Sequence, residues 1–254
     1  MTFDRRKHWE QLYTTKSPLD ASWYQDEPTV SLELVARTGA GTGARIVDVG
    51  GGASVLVDRL LARGYRNVAV LDISVAALEF AQARLGDRAV QVEWLASDIV
   101  EFRPAHTFDI WHDRAVFHFL TDAADRRAYV AAMDRALEPG GHVIIGAFAL
   151  EGPRKCSGLD VVQYNADKLS AELGDGYRLV EQLQETHFTP TGKAQEFGFY
   201  RFVRSVQEGQ IVTEPDRQDE ADKGAADFVK VLVVVKLVII AIVALAAWWL
   251  LRTI

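Results

Sequence analysis

The amino-acid sequence predicts an α/β domain built on a mostly parallel sheet, closed by an antiparallel hairpin and followed by one membrane-spanning helix. Three observations predict it. Short apolar runs alternate with helical patterns, the signature of βαβ units and a parallel sheet. The stretch IVDVGGGAS, Ile46 to Ser54, is an apolar run ending in an acid and three consecutive glycines, so it reads as a buried strand feeding a tight turn where the backbone closely approaches a ligand. From Val231 to Leu251, Lys236 is the only charged residue among 21.

Taken in order, the strand candidates are Arg45 to Val49, Asn67 to Asp72, Val90 to Leu95, Phe108 to His112 and His142 to Phe148. Helical patterns at Ser54 to Arg63, Val75 to Leu85 and Ala123 to Leu137 separate them. After the fifth strand the order changes. A helix near Ala166 to Leu173 precedes YRLVEQLQETHF and QEFGFYRFVR, two β-rich runs joined by the turn TPTGK, which read as the closing hairpin. Seven strands result, in a domain spanning 1–204.

The ends of the chain read differently. MTFDRRKHWEQLYTTK is charged and lacks the apolar core of a signal peptide. Ser205 to Asp227 carries seven acids against two basic residues and reads as a solvated linker over 205–228. At about 1.5 Å rise per residue the apolar run spans about 31 Å, close to the hydrocarbon thickness of a bilayer, so 229–252 is expected to be a transmembrane helix. Lys236 lies where its stem can snorkel, and Trp248 and Trp249 mark the opposite interface. Lys230 and Lys236 on the domain side, with Arg252 beyond, place the domain in the cytoplasm by the positive-inside rule.

Composition narrows the function. In 254 residues, 49% are apolar and 25% charged, enough for one sizeable core beside an appendage. A net charge of -7 without a basic stripe interleaved with aromatics gives no reason to expect a nucleic-acid partner. The single cysteine, Cys156, excludes an intrachain disulfide, and no ligand spacing for a metal is present, so a reducing compartment and no metal are expected.

In a doubly wound sheet the ligand lies at the carboxyl ends of the strands beside the switch point, which is where Gly50 to Gly52 fall. A dinucleotide fingerprint needs a third glycine where this chain has Val55, which counts against NAD or FAD. The acid and G-x-G pattern, Asp48, Gly50 and Gly52, with Ser54 where another glycine often stands, resembles the first motif of class I S-adenosylmethionine-dependent methyltransferases. Asp72 in VAVLDIS ends the second strand, and Asp98 in LASDIVEF follows the third. LEPGGHVIIG, Leu137 to Gly146, is similar to the family's turn into its fifth strand. The resemblance covers about Trp9 to Arg204 and implies a Rossmann-like seven-stranded fold with S-adenosyl-L-methionine as cofactor. It further implies that Asp72 with Ile73 holds the ribose, and that Asp98 with Ile99 lies near the adenine.

WHDRAVFHFL, Trp111 to Leu120, and GPRKCSGLDVVQYN, Gly152 to Asn165, resemble small bacterial-type members, similar in outline to thiopurine and tellurite methyltransferases and to some lysine methyltransferases. The D/N-P-P-Y motif of amino-methylating members is absent where this chain reads His112, Asp113 and Arg114. A sulfonium donor is already activated, so the protein must chiefly align the reactants and exclude water, and few catalytic groups are required. The fourth strand's carboxyl end faces the transferred methyl in this fold. Asp113 and His118 are therefore the catalytic candidates, His112 joins the cofactor side, and Arg114 joins the substrate side. If the chain turns helical there, Arg114 and His118 share one face. Trp23 and Tyr24 in SWYQDEP are candidates for an aromatic lid, and Cys156 and His187 are further substrate-side candidates.

The expected activity is methyl transfer to a small molecule at sulfur or another soft nucleophile. A protein lysine methyltransferase is the alternative if the cleft is acidic. A membrane adaptor that binds the cofactor without turnover is an alternative of another class.

Overall fold

The computed structural model describes residues 3–206. The apolar run from Val231 and nearly all of the acidic stretch before it lie outside the described residues; among the described residues no helix is long and apolar enough to cross a membrane.

The chain opens with two helices, α1 (Arg5–Thr15) and α2 (Thr29–Arg37), and then enters the alternating section. That section runs β1 (Arg45–Val49), α3 (Leu56–Ala62), β2 (Asn67–Asp72), α4 (Val75–Leu85), β3 (Val92–Ala96), β4 (Phe108–Arg114), α5 (Ala123–Ala136) and β5 (Leu137–Phe148). A two-stranded ribbon, β6 (Lys155–Cys156) with β7 (Leu159–Asp160), leads to α6 (Ala166–Leu173) and the hairpin β8 (Tyr177–Phe188) and β9 (Ala194–Arg204). The main sheet has seven strands in the order β3-β2-β1-β4-β5-β9-β8. β1 to β5 pair in parallel, and β9 joins antiparallel to β5 and β8. The order reverses between β1 and β4, which places the switch point beside the glycine turn.

Successive residues of the central strands serve opposite faces. Ile46, Ile110 and Ile144 join one apolar cluster with Leu32 and Val35 of α2, Leu56 and Leu60 of α3 and Leu78 of α4. Val47, Trp111, Val143 and Ile145 join the other, with Tyr129 and Met133 of α5 and Leu169 of α6. Helices thus cover both faces, which is why these strands read as continuous apolar runs and not as alternating ones. The strands and helices expected within 1–204 are present with end shifts of a few residues. The larger difference is at the start, where charged residues spanning α1 concealed a helix that packs by its ends and edges and has no fully buried residue.

One polar contact crosses the second cluster. The Tyr129 hydroxyl donates to Asp113 Oδ2 at 2.6 Å and accepts from Trp111 Nε1 at 2.7 Å, all three residues being buried. Tyr129→Phe keeps the ring, leaves the buried Trp111 N–H without a partner and takes one hydrogen bond from Asp113. Urea denaturation is expected to show a loss of about 2 to 4 kcal/mol, against the near-neutral result expected were the hydroxyl idle.

Candidate functional site

The glycine turn is shaped by two carboxylates. Gly50 adopts φ +66°, and a Cβ there would strike the Val116 side chain. A Cβ on Gly51 would overlap Asp48 Oδ2; on Gly52 it would overlap Asp72 Oδ2 and come within 2.8 Å of the Ala77 Cβ. The turn therefore lies directly on the side chains that end β1 and β2.

Asp48 and Asp72 are both buried, at 3% and 5% exposure. Asp48 Oδ1 lies 2.7 Å from His112 Nδ1, and His112 Nε2 lies 2.9 Å from Ser31 Oγ of α2. A carboxylate has no proton to give, so Nδ1 is the donor. Asp48 Oδ2 has no partner. Asp72 Oδ1 accepts from the Ser74 N–H at 2.9 Å. Burial raises the Asp72 carboxyl from its ordinary 3.8 to about 7, against the pull of backbone N–H groups of Ser74, Gly52 and Ile73.

These groups line one cavity with Gly50, Ile73, Asp98, Ile99 and His112. Asp98 accepts from Arg5 Nε at 3.1 Å and from the Val100 N–H at 3.2 Å. Arg5 also reaches Asp125 at 2.6 Å, and Arg6 donates to the Ile73 carbonyl at 3.3 Å. Glu10 accepts from Ser74 Oγ at 2.8 Å and from the Ala76 N–H at 3.2 Å, at the start of α4. By these contacts α1 is laid across the carboxyl ends of the strands, and Trp9 and Tyr13 reach the cavity. Trp9 stacks edge-on against Phe119 at 4.9 Å, and Tyr13 lies 6.1 Å from Trp23. The far half of the cavity is thus walled by aromatic rings.

Arg114 lines that half. Its Nη1 donates to the Trp23 carbonyl at 2.8 Å, and its guanidinium lies 4.6 Å from the centre of the Phe197 ring. The turn beyond it is fixed by Asp113, which accepts from the N–H groups of Val116 at 2.8 Å and Phe117 at 3.1 Å. Between them Ala115 is held at φ +71°, a left-handed conformation uncommon outside glycine.

The structure gathers Asp48, Gly50, Asp72, Ile73, Asp98, Ile99, His112, Trp23 and Arg114 around one cavity, with Gly52 shaping it from behind. It does not bring the remaining candidates there. Asp113 is consumed by the turn and by Tyr129, and burial raises it to about 6. His118 is fully buried between Phe119 and Phe148, at 4.5 and 4.8 Å, with neither ring nitrogen paired; burial lowers it to about 3, so the ring is neutral. Arg114 ends a strand and His118 sits in a separate short helical turn, so the expected shared helix face is not formed. His187 is spent on the Ser22 carbonyl at 2.8 Å, Cys156 is a buried thiol pushed up by burial, and Tyr24 is not among the lining residues. Sequence reasoning missed Trp9, Tyr13, Arg5 and Ser31. The four-residue spacing of Trp9 and Tyr13 behind the helix cap Asp4 was the available signal for the first two.

Residues 46–141 match the methyltransferase domain family. Nodulation protein S of Rhizobium tropici is 27% identical over 114 residues, covering 45% of this chain and 47% of that protein. A ubiquinone/menaquinone biosynthesis C-methyltransferase of Coxiella burnetii is 30% identical over 113 residues, 42% and 44% of the two chains. The chain spans about half the length of the curated relatives it matches. The N-methyltransferase NodS of Bradyrhizobium japonicum, solved in complex with S-adenosyl-L-homocysteine, superposes with a TM-score of 0.63 at 22% identity, over 79% of this chain and 99% of that one. That likeness shows the fold.

The raised Asp72 sets a pH dependence. Between 3.8 and about 7 the folded chain binds a proton at Asp72 that the unfolded chain has released, so stability falls as pH rises through this window. Asp113 acts in the same direction. Urea midpoints of the ligand-free protein are expected to decline across this range, and Asp72→Asn to flatten much of the decline. An unaltered slope in the variant would mean that Asp72 is ionised throughout.

Proposed function

We propose that this protein transfers a methyl group from S-adenosyl-L-methionine to a small-molecule acceptor whose nucleophile is a thiol or another soft atom. One observation carries the reading. A single cavity joins the glycine turn and its two buried carboxylates at one end to an aromatic recess with a cation at the other.

The residues present fit the cofactor. The unpartnered Asp48 Oδ2 stands ready for a polar group, and Asp72 at the end of β2 is placed to accept from ribose hydroxyls. Asp98 and the Ile99 backbone follow β3 at the adenine end. When bound, the cofactor supplies a methyl group already activated on a sulfonium. The chain's own work is then orientation and exclusion of water: α1 covers the strand ends, and Trp9, Tyr13, Trp23 and Phe119 supply flat apolar walls. Among the lining residues none in the acceptor half is a free base. Both nitrogens of His112 are engaged, and burial holds the Tyr13 phenol well above its ordinary pKa. An acceptor that ionises readily suits such a site. Arg114 puts a positive charge on the cavity wall, which counts against a cationic lysine acceptor.

The apolar run Val231 to Leu251 is proposed as a C-terminal anchor that holds the domain on the cytoplasmic side of a membrane. It rests on length, hydropathy and flanking charge alone.

Calorimetry is expected to show binding of S-adenosyl-L-methionine and its demethylated product, but not NAD. Asp72→Ala is expected to cost about 1.5 to 3 kcal/mol of that affinity; an unchanged affinity would remove Asp72 from the site. A chain ending at Val206 is expected to stay folded and cofactor-competent while losing the membrane association of the full chain. Equal partitioning of both chains in membrane flotation would remove the anchor.

A further inference from the structure

Arg114 lines the cavity as a buried cation whose hydrogen-bonding edge is not filled. Three features hold its guanidinium in place: the Trp23 carbonyl on Nη1, the Phe197 ring beneath its face, and the end of β4 behind it. What remains is Nε and Nη2, and both are buried without a partner. These two nitrogens form the side-on fork of an arginine, whose parallel N–H bonds match the two oxygens of a carboxylate. The nearest acid does not fill it. Glu185 Oε2 forms an ion pair with Nη2 at 3.9 Å, too long for a hydrogen bond and leaving that oxygen without a hydrogen-bond partner, and Glu185 Oε1 is taken by Gln25 Nε2 at 2.9 Å. A buried guanidinium with its fork unfilled is costly unless a ligand completes it. Burial depresses Arg114 to about 10, which still leaves it charged at neutral pH.

We propose that the Arg114 fork is the specificity group for the acceptor, and that the acceptor is a planar molecule carrying a carboxylate or a comparable oxyanion. The aromatic walls take the ring system, and the fork takes the anion. The side chain is then a substrate-orienting group that turns the nucleophile toward the transferred methyl. This rests on the methyltransferase reading above and adds the chemical class of its substrate.

Three ring-matched probes test it: benzoate, benzamide and benzylamine, titrated into the full chain saturated with S-adenosylhomocysteine. Benzoate is expected to bind at least about tenfold tighter than benzamide, with benzylamine weakest. In Arg114→Met benzoate is expected to fall to the benzamide level while affinity for S-adenosylhomocysteine holds, and Arg114→Lys to recover part of the difference. Glu185→Gln is expected to tighten benzoate, because a like charge beside the fork is removed. The proposal is overturned if benzamide or benzylamine equals benzoate in the unaltered chain, if none of the three binds, or if Arg114→Met leaves benzoate affinity unchanged. Should Arg114→Met fail to fold, the three-probe ranking and the Glu185→Gln response decide the matter without it. Absence of S-adenosylhomocysteine binding would instead count against the methyltransferase reading, and benzoate titrated into the free protein would still judge the fork.

Discussion

Two buried carboxylates at the ends of adjacent parallel strands are the constraint around which this domain is arranged. Among the described residues no lysine or arginine is in hydrogen-bond contact with Asp48 or Asp72, so neighbouring dipoles must make up what water no longer supplies. For Asp48 that partner is His112, which reaches it because Asp48 and His112 are directly opposite in the β1–β4 register. His112 in turn needs Ser31, which fixes how α2 packs. For Asp72 the partners are backbone N–H groups at the start of α4 and in the glycine turn, and the turn approaches closely enough only without side chains at Gly51 and Gly52. Helix packing, strand register and glycine placement thus answer to the same two groups.

The charges across the cavity are divided by strand. Acids end β1 and β2 and follow β3, whereas β4 ends in Arg114. Holding Arg114 in place requires an unfavourable backbone at Ala115, and the compensation is local: Asp113 binds two N–H groups of the same turn, and Tyr129 and Trp111 lock Asp113 from the core. Asp113 therefore shapes the turn at the cavity wall.

The parallel section was legible because strands covered on both faces leave continuous apolar runs, and because three glycines after an acid mark a close backbone approach. Asp72 and Asp98 could be read by their distance from those glycines along a βαβ unit. Asp113 and His118 could not, since a strand-end acid has the same appearance whether it ties a turn or handles a proton. The left-handed Ala115 broke the helix that the four-residue spacing of Arg114 and His118 anticipated, and no residue type announces that conformation at an alanine. α1 was obscured for a different reason. Its partners are remote, as in the contact of Arg5 with Asp98, and depend on the sheet being already assembled.

The covering helix has one more property. Because α1 has no fully buried residue and belongs to neither core cluster, its detachment gives up the contacts of Arg5, Arg6, Glu10, Trp9 and Tyr13 but leaves both clusters intact. Its amides should exchange hydrogen long before those of the sheet. The part of the fastening made by Arg5 with Asp98 and Asp125 is ionic, so added salt loosens it, and the residence time of a molecule held beneath the helix shortens as ionic strength rises.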